Sequence, residues 1–260
     1  MPMLDVDGTS LYYSVKGNGI PIVCIHPPVL TSENFEYQVK ELSQFFKVIT
    51  FDIRGHGRSQ YSDQPITYSL IVQDTCRILD HLQISQAYIC GYSTGGSIVL
   101  EFLQTFANRA LGGIVISGMS EMKDPHIVNR IMLAIRIAKA GAISILAWAI
   151  AWSNSNTKKI FFKMLKAAKR GHAKNFKQYY QYILQYNCTN QLVNIKHPIL
   201  VVYGKKDKIF SYYAKLLHEK LPCHELIGIE NVKHQIPTKA AGSLNTAIKK
   251  FIDSRDKING

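Results

Sequence analysis

Five cysteines (Cys24, Cys76, Cys90, Cys188, Cys223) lie scattered over 260 residues without a CxxC pair, which excludes a disulfide scaffold and a thiolate metal ribbon. Nine histidines show no HExxH or comparable ligand spacing, so neither a metal nor another cofactor is expected. No low-complexity tract and no fixed repeat period runs through the chain, excluding disorder, collagen, coiled coil and solenoid. Long apolar runs are missing too. The longest, 140–152, ends at the polar Ser153-Asn154-Ser155-Asn156 and follows Arg136 and Lys139, short of the roughly 20 residues that a spanning helix needs. The opening Met1-Pro-Met-Leu-Asp-Val-Asp-Gly has no basic or apolar stretch, so no secretory leader is expected and a cytoplasmic location is the simplest reading. Acidic residues are scarce, 18 against 31 Lys and Arg, for a formal charge of +13. That favours anionic partners but sets no fold.

What is present is an alternation of strand-length apolar runs with helix-length amphipathic stretches. Strands are expected over 11–15, 20–25, 47–51, 87–90, 114–117, 199–203 and 225–229, and helices over 33–45, 67–82 (capped by Thr67), 94–106 and 239–252. Continuous Val/Ile/Leu runs bounded by helices predict an α/β fold with a mostly parallel central sheet and helices on both faces. Between Glu121 and Cys188 the alternation stops and only helical spacing remains. Ile160, Phe161, Met164, Leu165 and Ala168 share one face, and Phe176, Tyr179, Tyr180, Ile183 and Leu184 a second. The chain therefore divides into a core of 1–120 and 189–260 and an all-helical cap inserted over 121–188. Twelve Lys and Arg against Glu121 and Asp124 give the insertion +10, leaving +3 for the core.

Gly91-Tyr92-Ser93-Thr94-Gly95 is a G-x-S-x-G placed between a strand and a helix. A serine on that elbow is presented above the sheet with a helix N-terminus beside it, and small flanking residues let strand and helix pass closely. Three further segments accompany it: Asp52-Ile-Arg-Gly-His-Gly-Arg-Ser59, Gly204-Lys-Lys-Asp207 and Asn231-Val-Lys-His234-Gln-Ile-Pro237, each following a strand. With these four motifs the chain resembles the α/β-hydrolase superfamily over essentially its full length. The resemblance implies Ser93 as nucleophile, His234 as its base and Asp207 as the acid orienting the imidazole, in the chain order Ser…Asp…His that this fold uses. Asp124 and Glu121 are the fallback acids. Asp52, Arg54, His56 and Arg58 are read as structural, and His26 as packing beneath the site.

The sequence departs from the family pattern at one place. Many members carry His-Gly-X after the third strand, where the N–H of X is an oxyanion donor. Here the segment is His26-Pro27-Pro28-Val29, and proline has no N–H. Thr94 N–H is the first donor; the second comes from Val29 or from a re-routed loop, or is absent. Tyr92, Met119, Trp148 and Trp152 are the expected pocket residues, with Ser117 near them.

The resulting expectation is a carboxylesterase-like serine hydrolase (EC 3.1.1), acting without cofactor on an ester of a small or medium apolar acid. Thioesterase, lactonase and carbon–carbon bond hydrolase share the same triad. A receptor or scaffold with vestigial turnover is the rival from another class. The partner expected is a small-molecule ester, neutral or anionic, and not nucleic acid, since no recognised module accompanies the lysines. The basic insertion reads as a solvated lysine face, or as a surface for anionic substrates or an anionic membrane. The sequence leaves oligomeric state open.

Overall fold

A computed structural model describes residues 2–259, and their side chains as far as 256. The outermost residues of the expected core, Met1 and Gly260, lie outside it. Eight strands form one sheet in the order β1-β2-β4-β3-β5-β6-β7-β8. They are β1 (Met3–Val6), β2 (Thr9–Lys16), β3 (Pro21–Ile25), β4 (Lys47–Phe51), β5 (Ala87–Tyr92), β6 (Ala110–Ile116), β7 (Ile199–Gly204) and β8 (His224–Ile229). β1 and β2 pair antiparallel at one edge, and every pairing from β4 to β8 is parallel. This is the mostly parallel sheet that the alternation predicts. β1 has no counterpart among the expected strands, being four residues with Asp5 in the middle and mostly solvent-facing.

Alternating strand residues feed two separate cores. Val23 and Ile25 of β3, Ile89 of β5 and Val201 of β7 face one side, where they meet α2 (Tyr68–His81), α3 (Thr94–Thr105) and α8 (Lys208–Lys220). Ile22, Cys24, Tyr88, Cys90 and Val202 face the other, against α1 (Glu36–Leu42) and α10 (Ala241–Asn259). Two helix boundaries differ from expectation. Residues 33–45 divide into a 3-10 turn, Ser32–Phe35, followed by α1. The closing helix is broken at Ala240 (φ −143°, ψ 40°) into α9 (Ile236–Lys239), with Pro237 in its first turn, and α10, the position where proline's missing N–H costs nothing.

Between β6 and β7 the chain runs through α4 (Pro125–Lys139), α5 (Ile143–Asn154), α6 (Lys158–Ala168) and α7 (Ala173–Gln185). Asp124 caps α4, accepting from His126 and Ile127 N–H at 3.0 Å with Pro125 following, and Thr157 caps α6. These are ordinary start signals. α7 fixes the insertion to the core: His172 N–H donates to Gly55 C=O at 2.8 Å, and Asn175 bonds Ser62 in both directions. Among the described residues no helix is long and apolar enough to cross a membrane.

Candidate active site

Ser93 sits between the last residue of β5 and the first of α3, with φ 56° and ψ −120°. A non-glycine residue in that region is strained, by about 1–3 kcal/mol, and persists only where its surroundings dictate it. They do so here. Ser93 N–H donates to Ile116 C=O at 2.8 Å. A Cβ on Gly91 would stand 2.1 Å from Gly95 O, and one on Gly95 would stand 2.2 Å from Ile25 O. Both glycines are thus required by backbone contact, and the turn projects the Ser93 hydroxyl above the sheet.

His234 Nε2 lies 3.0 Å from Ser93 Oγ. The ring is held between Phe210 (3.9 Å between centroids) and Tyr92 (5.1 Å). Its own carbonyl accepts from Ser117 Oγ at 3.2 Å. Burial in this aromatic slot pushes the imidazole below the ordinary histidine value. A neutral imidazole at this distance can take a proton from the serine.

Asp207 stands on the far side of the ring, Oδ2 3.7 Å from Nδ1. That is beyond hydrogen-bond reach, and Nδ1 has no partner among the described residues. The carboxylate is also the cap of α8, Oδ1 accepting from Phe210 N–H at 3.2 Å. Burial pushes its carboxyl up, while the Phe210 and Ile209 N–H groups and the cations Lys233 and Arg130 pull it down. Asp124 is the cap of α4. Glu121 bonds Thr189 and Asn187 and pairs with Lys123. Neither fallback acid is bonded to His234.

The segment His26–Val29 turns over the end of β3. Ile53 N–H donates to His26 Nε2 at 2.9 Å, so the proton of this buried ring is on Nδ1, which donates to Pro27 C=O. Val29 is fully buried with φ 70°. Among the described residues neither Val29 N–H nor Thr94 N–H has an acceptor. The loop is tied from above by Tyr179 of α7, whose hydroxyl donates to His26 C=O at 3.2 Å and accepts from Thr94 Oγ1 at 3.4 Å.

Above Ser93 opens a cavity of about 420 Å³, within the range of small-molecule sites. Ser93, Thr94, His234 and Asp207 form its base. Met119, Met122, Ile131, Leu146, Ile150, Ile183 and Ile209 give it apolar walls, and Arg130 is a cation on its lining. Two expectations are corrected here. Trp148 and Trp152 do not line the cavity: they stack on each other, 5.7 Å apart, on the outer face of α5. The inner face is occupied by Leu146 and Ile150, and a helix apolar all round gives no period from which to choose between the faces. Tyr92 is not on the lining either. Strand alternation places it on the face of Tyr88 and Cys90, where its hydroxyl donates to Asn154 Oδ1 at 2.9 Å.

The Asp52–Ser59 loop is a scaffold beneath the site. Asp52 accepts from Ser32 and Arg58 N–H, and Arg54 forms a bidentate pair with Asp74 at 2.7 and 2.8 Å. Residues that reach the site without any local signal in the sequence are Asn154, Tyr179 and Phe210. The first two come from the insertion, and only their long-range contacts give them a part.

Comparison with known proteins agrees with the fold. A family profile described as alpha/beta hydrolase fold matches residues 20–142. The AB hydrolase superfamily protein YisY of Bacillus subtilis (strain 168) is 24% identical over 94% of this chain and 96% of its own length. The enol-lactonase of Burkholderia xenovorans LB400 superposes with a TM-score of 0.86 at 20% identity, over 97% of this chain and all of that one. An esterase of Exiguobacterium antarcticum gives 0.86 at 19%, over 95% and 97%. The chain has the α/β-hydrolase fold, and it is similar in sequence to members of that superfamily.

Proposed function

We propose that the protein hydrolyses carboxylic esters of small or medium apolar acids through Ser93, His234 and Asp207. The observation carrying this is Ser93 Oγ, on a left-handed elbow, 3.0 Å from His234 Nε2 at the base of an apolar cavity. Ser93 Oγ attacks the ester carbonyl as its proton passes to His234 Nε2. The oxyanion is received by Thr94 N–H and Val29 N–H, the two free donors beside it. His234 returns the proton to the leaving alcohol. A water then gives its proton to the same nitrogen and cleaves the acyl-enzyme, releasing the acid. Asp207 closes on Nδ1 when the imidazolium forms. The helices over 121–188 act as a cap, forming the acyl pocket. A lactone is an internal ester, and the likeness to an enol-lactonase makes it a natural variant of this substrate class. With five free cysteines, four of them buried, a reducing cytoplasm suits the chain.

Burst and steady-state kinetics on p-nitrophenyl esters of graded chain length provide the test. Wild type is expected to show a burst with an optimum at short to medium chains, and Ser93→Ala to lose the burst and fall to background. Equal rates in both proteins across the series would overturn the reading.

A further inference from the structure

The outer face of α5 presents Ile145 (63% exposed), Trp148 (52%) and Trp152 (63%) in a row, and Phe162 of α6 (63%) continues it through Phe161. A helix apolar on every side belongs in a buried position, yet this one keeps half its circumference in water. Beside Trp152 lies a surface depression of about 360 Å³ lined by Phe161, Lys158 and Lys239. Neither lysine makes an ion pair among the described residues, and Lys159 follows on the same helix end. The catalytic cavity opens alongside: Leu133 and Ala149 both line it and are themselves exposed, and Ala149 directly follows Trp148.

We propose that this face docks on an anionic lipid membrane. Indoles favour the interface, where the ring is sheltered and the N–H stays wet, and lysines around them meet lipid phosphates. A helix of 12 residues, about 18 Å long, is too short to span and lies flat. A second copy of the chain would bring the same +10 insertion against this one and be repelled. Docking places the cavity mouth on the lipid, so that an apolar ester dissolved in the membrane enters without crossing water. The surface stands on exposure and charge and does not depend on the catalytic reading.

Trp148 and Trp152 are the only tryptophans in the sequence, so tryptophan emission, excited selectively over the tyrosines, reports on this face alone. Mixing with phosphatidylcholine–phosphatidylglycerol vesicles is expected to shift the emission to the blue. Lipids brominated in the acyl chains are expected to quench it, and phosphatidylcholine vesicles to act far more weakly. Lys158→Glu with Lys159→Glu, which puts acidic residues in the first turn of α6 where they suit the helix, is expected to lower partition by on the order of tenfold. Ile145→Ser, keeping both reporters, is expected to lower it as well. Hydrolysis of a soluble short-chain ester is expected to be unchanged in both variants, so loss of docking and loss of catalysis are read separately. Absence of shift and quenching, or equal partition to both vesicle types, would overturn the proposal. Emission that changes with protein dilution without lipid would assign the face to a second copy instead, and would overturn it equally.

Discussion

One oxygen of Asp207 accepts the Phe210 N–H as the cap of α8, while the other stands 3.7 Å from His234 Nδ1. The two roles separate under mutation. Asn caps a helix as well as Asp, so Asp207→Asn is expected to keep the melting temperature while lowering kcat by about 10³–10⁴, because the amide cannot support the imidazolium. Asp207→Ala is expected to lose a further 0.5–2 kcal/mol or so of stability. Thermal melts beside ester kinetics read both, and an Asn variant with near-normal kcat would remove Asp207 from the mechanism. At this scale the sequence was informative wherever a residue's position follows from local chain geometry. Ser93 is marked by its strand-to-helix turn, and Asp207 and His234 by the turns after β7 and β8. It was silent where position depends on which side of an element faces in. The alternation of β5 sends Tyr92 to the α10 side, and α5 carries apolar residues on both faces, so neither pocket assignment could be read from residue type.

At the scale of elements, α7 and α5 hold the two moving parts of the proposed chemistry. Tyr179 of α7 fixes the carbonyl of His26 at the head of the donor loop, and Asn154 of α5 holds Tyr92 against the His234 ring while its carbonyl accepts from Thr238 at 2.5 Å. Tyr179→Phe removes only the hydroxyl, the ring remaining packed against Tyr68 and His56. The hydrogen bond lost is worth about 0.5–1.5 kcal/mol. The expected result is kcat lowered by about 2- to 12-fold with KM little changed, since the loop positions the oxyanion donor and not the ground-state acyl chain. An equal rise in KM would assign Tyr179 to the pocket wall. These ties join residues 153 and 62 positions apart, and no local pattern in the sequence announces them. Strands β2 to β8 and the long helices α2 and α3, by contrast, follow from composition and caps to within about four residues.

For the whole molecule, two buried imidazoles and a third, half-buried one set the response to acid. His26 and His56 are fully buried, and His234 lies in its aromatic slot. Burial lowers all three below the ordinary value, with Asp52 partly opposing it at His26 and the neighbouring His26 adding to it at His56. In the unfolded chain each takes a proton near pH 6.5, whereas in the folded chain each takes it only at lower pH. Stability is therefore highest above about pH 6.5 and falls as pH drops below it toward the folded values, by up to about 1.4 kcal/mol per pH unit for each group. Melting temperature is expected to decline from pH 7 to pH 5, and His56→Phe to flatten that decline. A melting temperature constant over this window would contradict the assignment of neutral buried rings. The insertion has a last consequence for the molecule as a whole. It leaves at Glu121 and returns at Asn187, which face each other in an antiparallel bridge, and Cys188 N–H donates to Ser120 C=O at 2.9 Å. The helices thus start and finish side by side, and their other ties to the core run through His172, Asn175, Tyr179 and Asn154. Grafting in the four-helix segment of a protein of the same fold, with Tyr179 and Asn154 retained, is expected to exchange the apolar walls above Ser93 and the Trp148–Trp152 face together.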